Sequence, residues 1–315
     1  MKSTKWIKIF FGLSLIGVLF ITSINFIFDP QEINLNKVKK YNFVIDKNLE
    51  RKLKLYLYKN NEDKIENLIF GSSRVTVIES NLLGKNSFNF GFSAARLEEI
   101  LYLIKNEINI RNTKAIYIGL DEFMFDYSEE IFGEGVDFFY NQKKFYSFNY
   151  YFSISTLKDV IKNLFMFNNK LYEYTKDGDK IILQFNVPTL ESIDKYLEDR
   201  LIEIKKGFYR FDISKIELLN EIILFTKSKN IELYLFINPL SKELRDFYIK
   251  NNSEYEEFIK YIRIRYYNFN YDNEITQNIY KYYSDAHHYN KEVGKMIINF
   301  INNNYVQNNF GKINE

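Results

Sequence analysis

Two histidines, His287 and His288, are the only imidazoles in the 315-residue chain, and they stand side by side. Any imidazole chemistry must run through this pair. Asp285 lies three residues before His288, a spacing that on a turn brings a carboxylate to the ring Nδ1 and leaves Nε2 to face a partner. Far upstream, a short apolar run ends in Gly71-Ser72-Ser73. Hydroxyl, imidazole and carboxylate together are the set for nucleophilic acyl transfer. A neutral hydroxyl is a poor nucleophile, an imidazole can take its proton, and a carboxylate orients the imidazole. The spacing selects His288 over His287 as the base. Adjacent side chains leave the backbone in different directions and do not chelate one ion together, so no histidine-rich metal site is expected. With no cysteine in the chain, thiol nucleophiles, thiolate zinc sites and iron–sulfur clusters are excluded too. Neither metal nor cofactor is expected.

The elements that must position these residues follow from hydrophobic patterning. Short apolar runs at 67–70, 87–90, 115–118 and 231–237, with a weaker one at 266–271, read as five strands. Helical spacing separates them, at 53–65, 94–108, 214–229, 242–263 and 291–302. Ser214-x-x-Glu217 looks like a capping box and Asn290 like a helix cap. Strands alternating with helices imply an α/β fold: a doubly wound, three-layer sandwich around a central parallel sheet of about five strands. In such sheets ligands bind beyond the carboxyl ends of the strands. Those ends carry Ser72 and Ser73, Gly91, Gly119 to Glu122, Asn238, and then Asp285 to His288. The serine, the carboxylate and the histidines therefore converge on one rim. Glycines there bring backbone N–H groups within reach of a developing oxyanion. Arg74, beside the serine, is a candidate contact for an anionic substrate group, and Asn238 is a rim candidate.

Residues 9–28 form an uncharged stretch of about the 20 residues a helix needs to cross a bilayer. Lys2, Lys5 and Lys8 precede it, which by the positive-inside rule keeps the N-terminus cytoplasmic and exports the rest. A cleaved signal peptide is the rival reading. The stretch is long for one and no small-x-small site follows Phe28, which favours an uncleaved anchor. The expected organisation is a tip and anchor at 1–29, a tether at 30–50, one extracytoplasmic domain at 51–305 and a polar tail at 306–315. Within that domain, 123–212 breaks the strand–helix rhythm and reads as an inserted subdomain or lid, with an aromatic stretch at 138–152. Forty-three basic against 41 acidic residues leave a net charge of +2, which gives no field for gathering nucleic acid. The abundance of Phe and Tyr, 30 and 26, fits codon drift in an AT-rich genome better than a string of binding surfaces.

Taken in order, these blocks resemble the SGNH (GDSL-like) hydrolase superfamily over roughly residues 67–300. Phe70-Gly71-Ser72-Ser73 looks like the family's Gly-Asp-Ser block, which makes Ser73 the nucleophile. Asn89-Phe90-Gly91-Phe92-Ser93 resembles the block whose glycine N–H enters the oxyanion hole. Asp285-Ala286-His287-His288 matches the final Asp-x-x-His. Ser72 in place of aspartate is similar to the membrane-anchored subgroup that includes the D-alanyl transfer protein DltD and the alginate O-acetylation proteins. Gly119-Leu120-Asp121-Glu122 matches the Gly-x-Asn-Asp block only loosely, because Asp121 stands where an oxyanion-hole asparagine is expected. An ionised carboxylate repels an oxyanion, so Asp121 is protonated, points elsewhere, or leaves a hole of two donors, the N–H groups of Ser73 and Gly91. The resemblance implies an esterase or O-acyltransferase acting on acyl groups, acetyl above all, of cell-envelope polysaccharide. It also implies a multi-spanning membrane acyltransferase as partner. The alternative is a non-catalytic member of the same fold that docks glycan or that partner. Hydrolysis and transfer share the acyl-serine step and are not separated by sequence.

Overall fold

The computed structural model describes residues 2–28, 47–126, 151–166, 172–182, 187–206, 210–303 and 310–315. At its centre lies a sheet of β1 (Asn67–Phe70), β2 (Ser87–Asn89), β3 (Ala115–Leu120), β6 (Glu232–Ile237), β7 (Tyr266–Asn268) and β8 (Lys312–Asn314), in the order β2-β1-β3-β6-β7-β8. The first five are mutually parallel. Counted alone they run 2-1-3-4-5, one of the common doubly wound orders. Every side chain of β3 is buried, as are the last three of β1, so both faces of the sheet's centre are covered. That burial explains why these strands read as continuous apolar runs and not as alternating ones.

The sheet has one strand more than the five expected. Lys312–Asn314, in the segment read as a polar tail, pairs antiparallel with β7 through Tyr267 and Ile313. Phe310 fixes this return: it is buried and stacks on Phe269 at 4.8 Å. A three-residue edge strand is too short to show a period of two, so the pattern gave no signal.

Helices α1 (Lys2–Phe28), α2 (Lys47–Lys59), α3 (Leu97–Tyr102), α4 (Ile154–Met166), α5 (Leu190–Lys205), α6 (Ser214–Ser228), α7 (Lys242–Asn251), α8 (Ile279–Tyr282) and α9 (Lys291–Asn303) accompany the sheet. Helix α1 includes one segment, Lys5–Phe28, long and apolar enough to span a membrane. The expected helix over 242–263 is shorter, because extended Asn252 ends α7 and a 3-10 turn follows at Glu257–Tyr261. Helix α6 begins at Ser214 without a capping box, its Ser214 N–H going to Asp212 Oδ1 at 2.9 Å. Asn290 does cap α9, accepting the N–H groups of Glu292 and Val293 at 3.1 and 3.2 Å.

Of the stretch 123–212, the described parts are a 3-10 turn at Glu122–Phe125, α4, the hairpin of β4 (Tyr172–Tyr174) and β5 (Lys180–Ile182), and α5. The aromatic stretch at 138–152 lies outside the described residues except for Tyr151 and Phe152, and so does most of the tether. The hairpin closes onto the edge strand β2, where Asn89 N–H donates to Asp177 O at 2.9 Å. Ser80 N–H and Oγ donate to Asp179 at 2.8 and 3.1 Å. Beneath it, fully buried Lys54 from α2 donates to Asn89 O at 2.8 Å and to Gly178 O. Helix, hairpin and edge strand are thereby locked together just before the loop that follows β2.

Candidate active site

Strand β1 ends at Gly71, whose φ of +149° falls where side chains are rarely accommodated. A Cβ there would lie 2.9 Å from Gly119 O and 2.9 Å from Val75 Cγ1. Only glycine lets the chain leave the sheet this sharply against β3. The turn that follows is closed by Val75 N–H to Ser72 O at 3.1 Å and by Thr76 Oγ1 to Ser73 O at 2.6 Å. Ser72 points inward and is fully buried, while Ser73 is half-buried at the rim.

A second tight loop brings the histidines. Tyr283 and Tyr289 bridge antiparallel, and Ser284 N–H donates to His288 O at 2.9 Å. Inside it, Asp285 Oδ1 accepts the N–H groups of His287 and His288, both at 2.7 Å. Its other oxygen, Oδ2, meets His288 Nδ1 at 2.8 Å, and His288 Nε2 meets Ser73 Oγ at 2.8 Å. Both contacts lie within the reach proton transfer requires. With an ionised carboxylate at Nδ1, that nitrogen carries the proton and Nε2 is the acceptor. Burial pushes the Asp285 carboxyl upward. The His288 ring and the two backbone N–H groups outweigh it, leaving the carboxyl below its usual range and ionised.

Beneath Ser73 sits a buried ionic cluster that composition did not foreshadow. Arg74 is 1 % exposed and forks onto Glu122, with contacts of 2.9 and 3.0 Å, while also donating to Asp121 and to His287 Nδ1, the latter at 2.9 Å. Burial opposes the guanidinium charge, but Asp121 and Glu122 more than restore it, holding Arg74 well above its ordinary value. Asp121 is pushed upward by burial, with Arg74, Ser72 and Asn238 pulling the other way. Asn238 donates to Asp121 Oδ1 at 2.9 Å and accepts from Tyr289 Oη at 2.9 Å. The cluster thus ties the ends of β3 and β6 to the residue after His288.

These placements revise several expected roles. Arg74 is turned inward onto three neighbours and is not open to an arriving anion. Asn238 is 1 % exposed, bonded to Asp121 and Tyr289, and lies under the rim instead of on it. Asp121 points into the ion pair, one of the three outcomes its chemistry allowed. Gly91 needs a correction as an oxyanion donor: its N–H goes to Asn89 Oδ1 at 2.7 Å, because buried Asn89 is fixed by donating to Val75 O and Ile78 O at 2.8 Å each. What requires glycine at 91 is space, since a Cβ would lie 2.5 Å from Val75 Cγ2.

Three residues further on, Ala94 adopts a left-handed backbone with φ of +52°. Among the described residues, neither its N–H nor that of Ser73 has an acceptor. The loop is clamped around it from α2, where Glu50 accepts Ser93 N–H at 2.7 Å and Arg51 pairs with Glu99 at 2.5 Å. Nothing in the sequence marks an alanine for this conformation.

No family model, no curated protein and no solved structure matches this chain.

Proposed function

We propose that this chain is a membrane-anchored serine esterase or O-acyltransferase of the SGNH type, acting on O-acyl groups, acetyl foremost, of cell-envelope polysaccharide. One observation carries the reading: Asp285, His288 and Ser73 stand in line with two contacts of 2.8 Å, at the carboxyl ends of the strands. Ser73 Oγ attacks the ester carbonyl carbon while its proton passes to His288 Nε2. The bond to the leaving alcohol then breaks as His288 returns that proton to the leaving oxygen, and the acyl group stays on Ser73. Water or a sugar hydroxyl next loses a proton to His288 and attacks the acyl carbon, and Ser73 departs as it takes the proton back. Asp285 holds the Nδ1–H tautomer throughout. The N–H groups of Ser73 and Ala94, unclaimed among the described residues, serve in this reading as the oxyanion donors.

In this reading the lysines in the first turns of α1 stay in the cytoplasm and the sheet domain is exported. Its central sheet forms a doubly wound sandwich, and 123–212 is an insertion near the site. Substrate and partner, the latter a multi-spanning acyltransferase that hands acyl groups outward, come from the family resemblance. The test is p-nitrophenyl acetate turnover by the full chain in detergent, wild type against Ser73→Ala. Loss of turnover in the variant is expected, and equal turnover removes Ser73 as nucleophile.

The engaged Gly91 N–H favours a second reading, a non-catalytic protein of the same fold that docks glycan or the membrane partner. Labelling by a fluorophosphonate probe separates the two, since strong labelling that depends on Ser73 is incompatible with an inert scaffold.

A further inference from the structure

Helix α4 leaves open apolar side chains that a helix on a water-facing surface would hide. Among its described side chains, Thr156 and Val160, 3 % and 1 % exposed, form the covered side. Ile154 and Ile161 are 62 % and 46 % exposed, and with half-buried Leu157 they share one open face at i, i+3 and i+7. Lys158 is exposed on the same side, where its long stem can cross apolar surroundings and deliver the ammonium to water. A soluble surface helix hides isoleucine and shows threonine. This one hides Thr156 and leaves two isoleucines open beside Ser155 and Lys158.

What covers that face follows from where the helix is fastened. Helix α4 packs on α1. The side of α1 that loses exposure is Ile21, Thr22, Ile24, Asn25 and Phe28, confined to its last two turns. From Lys5 to Phe20 every side chain stands open, as those of a lipid-facing span do. Asn25 is fully buried and donates from Nδ2 to Tyr151 O at 2.7 Å and Ser153 O at 3.0 Å, pinning the chain just before α4 begins. At 1.5 Å per residue, the stretch from Ile21 to Phe28 covers about the final 10 Å of α1. Helices that lie in the membrane–water interface sink about 5–10 Å into it, which matches that depth.

We propose that α4 is a second membrane-contacting element, lying in the outer interface beside the span with Ile154, Leu157 and Ile161 in lipid. The inference rests on the reading of α1 as a membrane anchor. Its consequence is orientation. The exported domain is held against the bilayer by the seam between α1 and α4 as well as by its chain connection, so the mouth of the site keeps a set attitude to the membrane.

The experiment uses the full chain, reconstituted in phosphatidylcholine vesicles with or without bromine on the acyl chains, and single tryptophans as depth reporters. Trp6, the one native tryptophan, is first replaced by Phe. Reporters are then placed by Ile161→Trp and, independently, Ile154→Trp on α4, with Phe20→Trp inside the span. Leu224→Trp, on the exposed face of α6, serves as the dry control. Bromolipid quenching of both α4 reporters to at least about half that of Phe20→Trp, with Leu224→Trp unquenched, is expected for an interfacial helix. Quenching at Phe20→Trp without quenching on α4 beyond the Leu224→Trp level overturns the proposal and leaves the anchor standing. Absence of quenching at Phe20→Trp overturns it by removing the anchor itself.

Discussion

His287 Nδ1 accepts a hydrogen bond from the Arg74 guanidinium at 2.9 Å, and this single contact decides what the second histidine can be. Arginine has donors and no acceptor, so His287 presents a lone pair at Nδ1 and carries its proton on Nε2. Burial, and after it the charges of Arg74, His288 and Arg200, hold its pKa well below the ordinary histidine value. His287 is therefore a neutral imidazole whose basic nitrogen is already engaged. Its ring stands edge-on to that of His288, with centroids 4.4 Å apart, close enough to brace it.

A sharp expectation follows for the pair. His288→Ala is expected to lower kcat on p-nitrophenyl acetate by about 10³-fold or more, the scale on which loss of a triad base is felt. His287 is not a substitute base, so adding His287→Ala to that variant causes no further loss. His287→Ala alone reduces kcat by a smaller factor, through looser packing of His288. A further fall in the double variant relative to His288→Ala contradicts the locked tautomer.

Lys54 supplies a pH dependence with an unusual sign. Burial pulls its ammonium down to about 7, while Glu50 and Asp179 only partly oppose the shift. Unfolded lysine titrates near 10.4, so between roughly pH 7 and 10 the unfolded chain binds a proton that the folded one does not. Stability contributed at this position therefore rises with pH across that window, by up to about 1.4 kcal/mol per unit. Urea unfolding of wild type and Lys54→Met at pH 7, 8 and 9 reads the difference. The wild-type slope against pH is expected to be the steeper of the two, and parallel slopes contradict a depressed lysine.

How far these features could be seen in advance differs by kind. The five parallel strands and the rim residues were legible because burial on both faces writes itself as apolar runs, and because turns after strands select glycine and serine. Asp285 and His288 were legible through local spacing alone. Contacts that span the chain were not. Nothing in the residues around Arg74 says that a guanidinium will turn inward onto Asp121 and Glu122, 47 and 48 positions away. Gly91 was legible as a required glycine but not for its reason, since its N–H is claimed by a side chain two residues back. The hairpin at 172–182 reaches α2 across more than a hundred residues through Lys54 and Gly178, a pairing no periodicity encodes.

The Arg74 cluster is expected to be structural in the measurable sense. Arg74→Met removes the cation paired with two buried carboxylates and leaves both without that charge. Breaking a buried pair in this manner costs about 3–5 kcal/mol. Chemical denaturation should show a loss of that size for Arg74→Met. Joining Asp121→Asn to it should recover part of the loss, because one of the stranded charges is then gone. A loss below about 1 kcal/mol for the single variant would mean that water reaches the cluster and screens it.

Ala94 offers the opposite kind of test, a substitution expected to stabilise. A left-handed backbone costs a non-glycine residue about 1–2 kcal/mol, because Cβ crowds the carbonyl oxygen. Glycine removes that strain but loses about 0.4–1 kcal/mol through the greater freedom of the unfolded chain. Ala94→Gly should therefore gain roughly 0.5–1 kcal/mol, visible as a higher urea midpoint with an unchanged slope. The substitution keeps the backbone N–H, so turnover of p-nitrophenyl acetate should stay within about twofold of wild type if the clamps from Glu50 and Arg51 hold the loop. If turnover falls tenfold while stability rises, the Ala94 methyl itself is shaping the loop that carries the donor, and the conformation is held by the side chain as well as by the clamps.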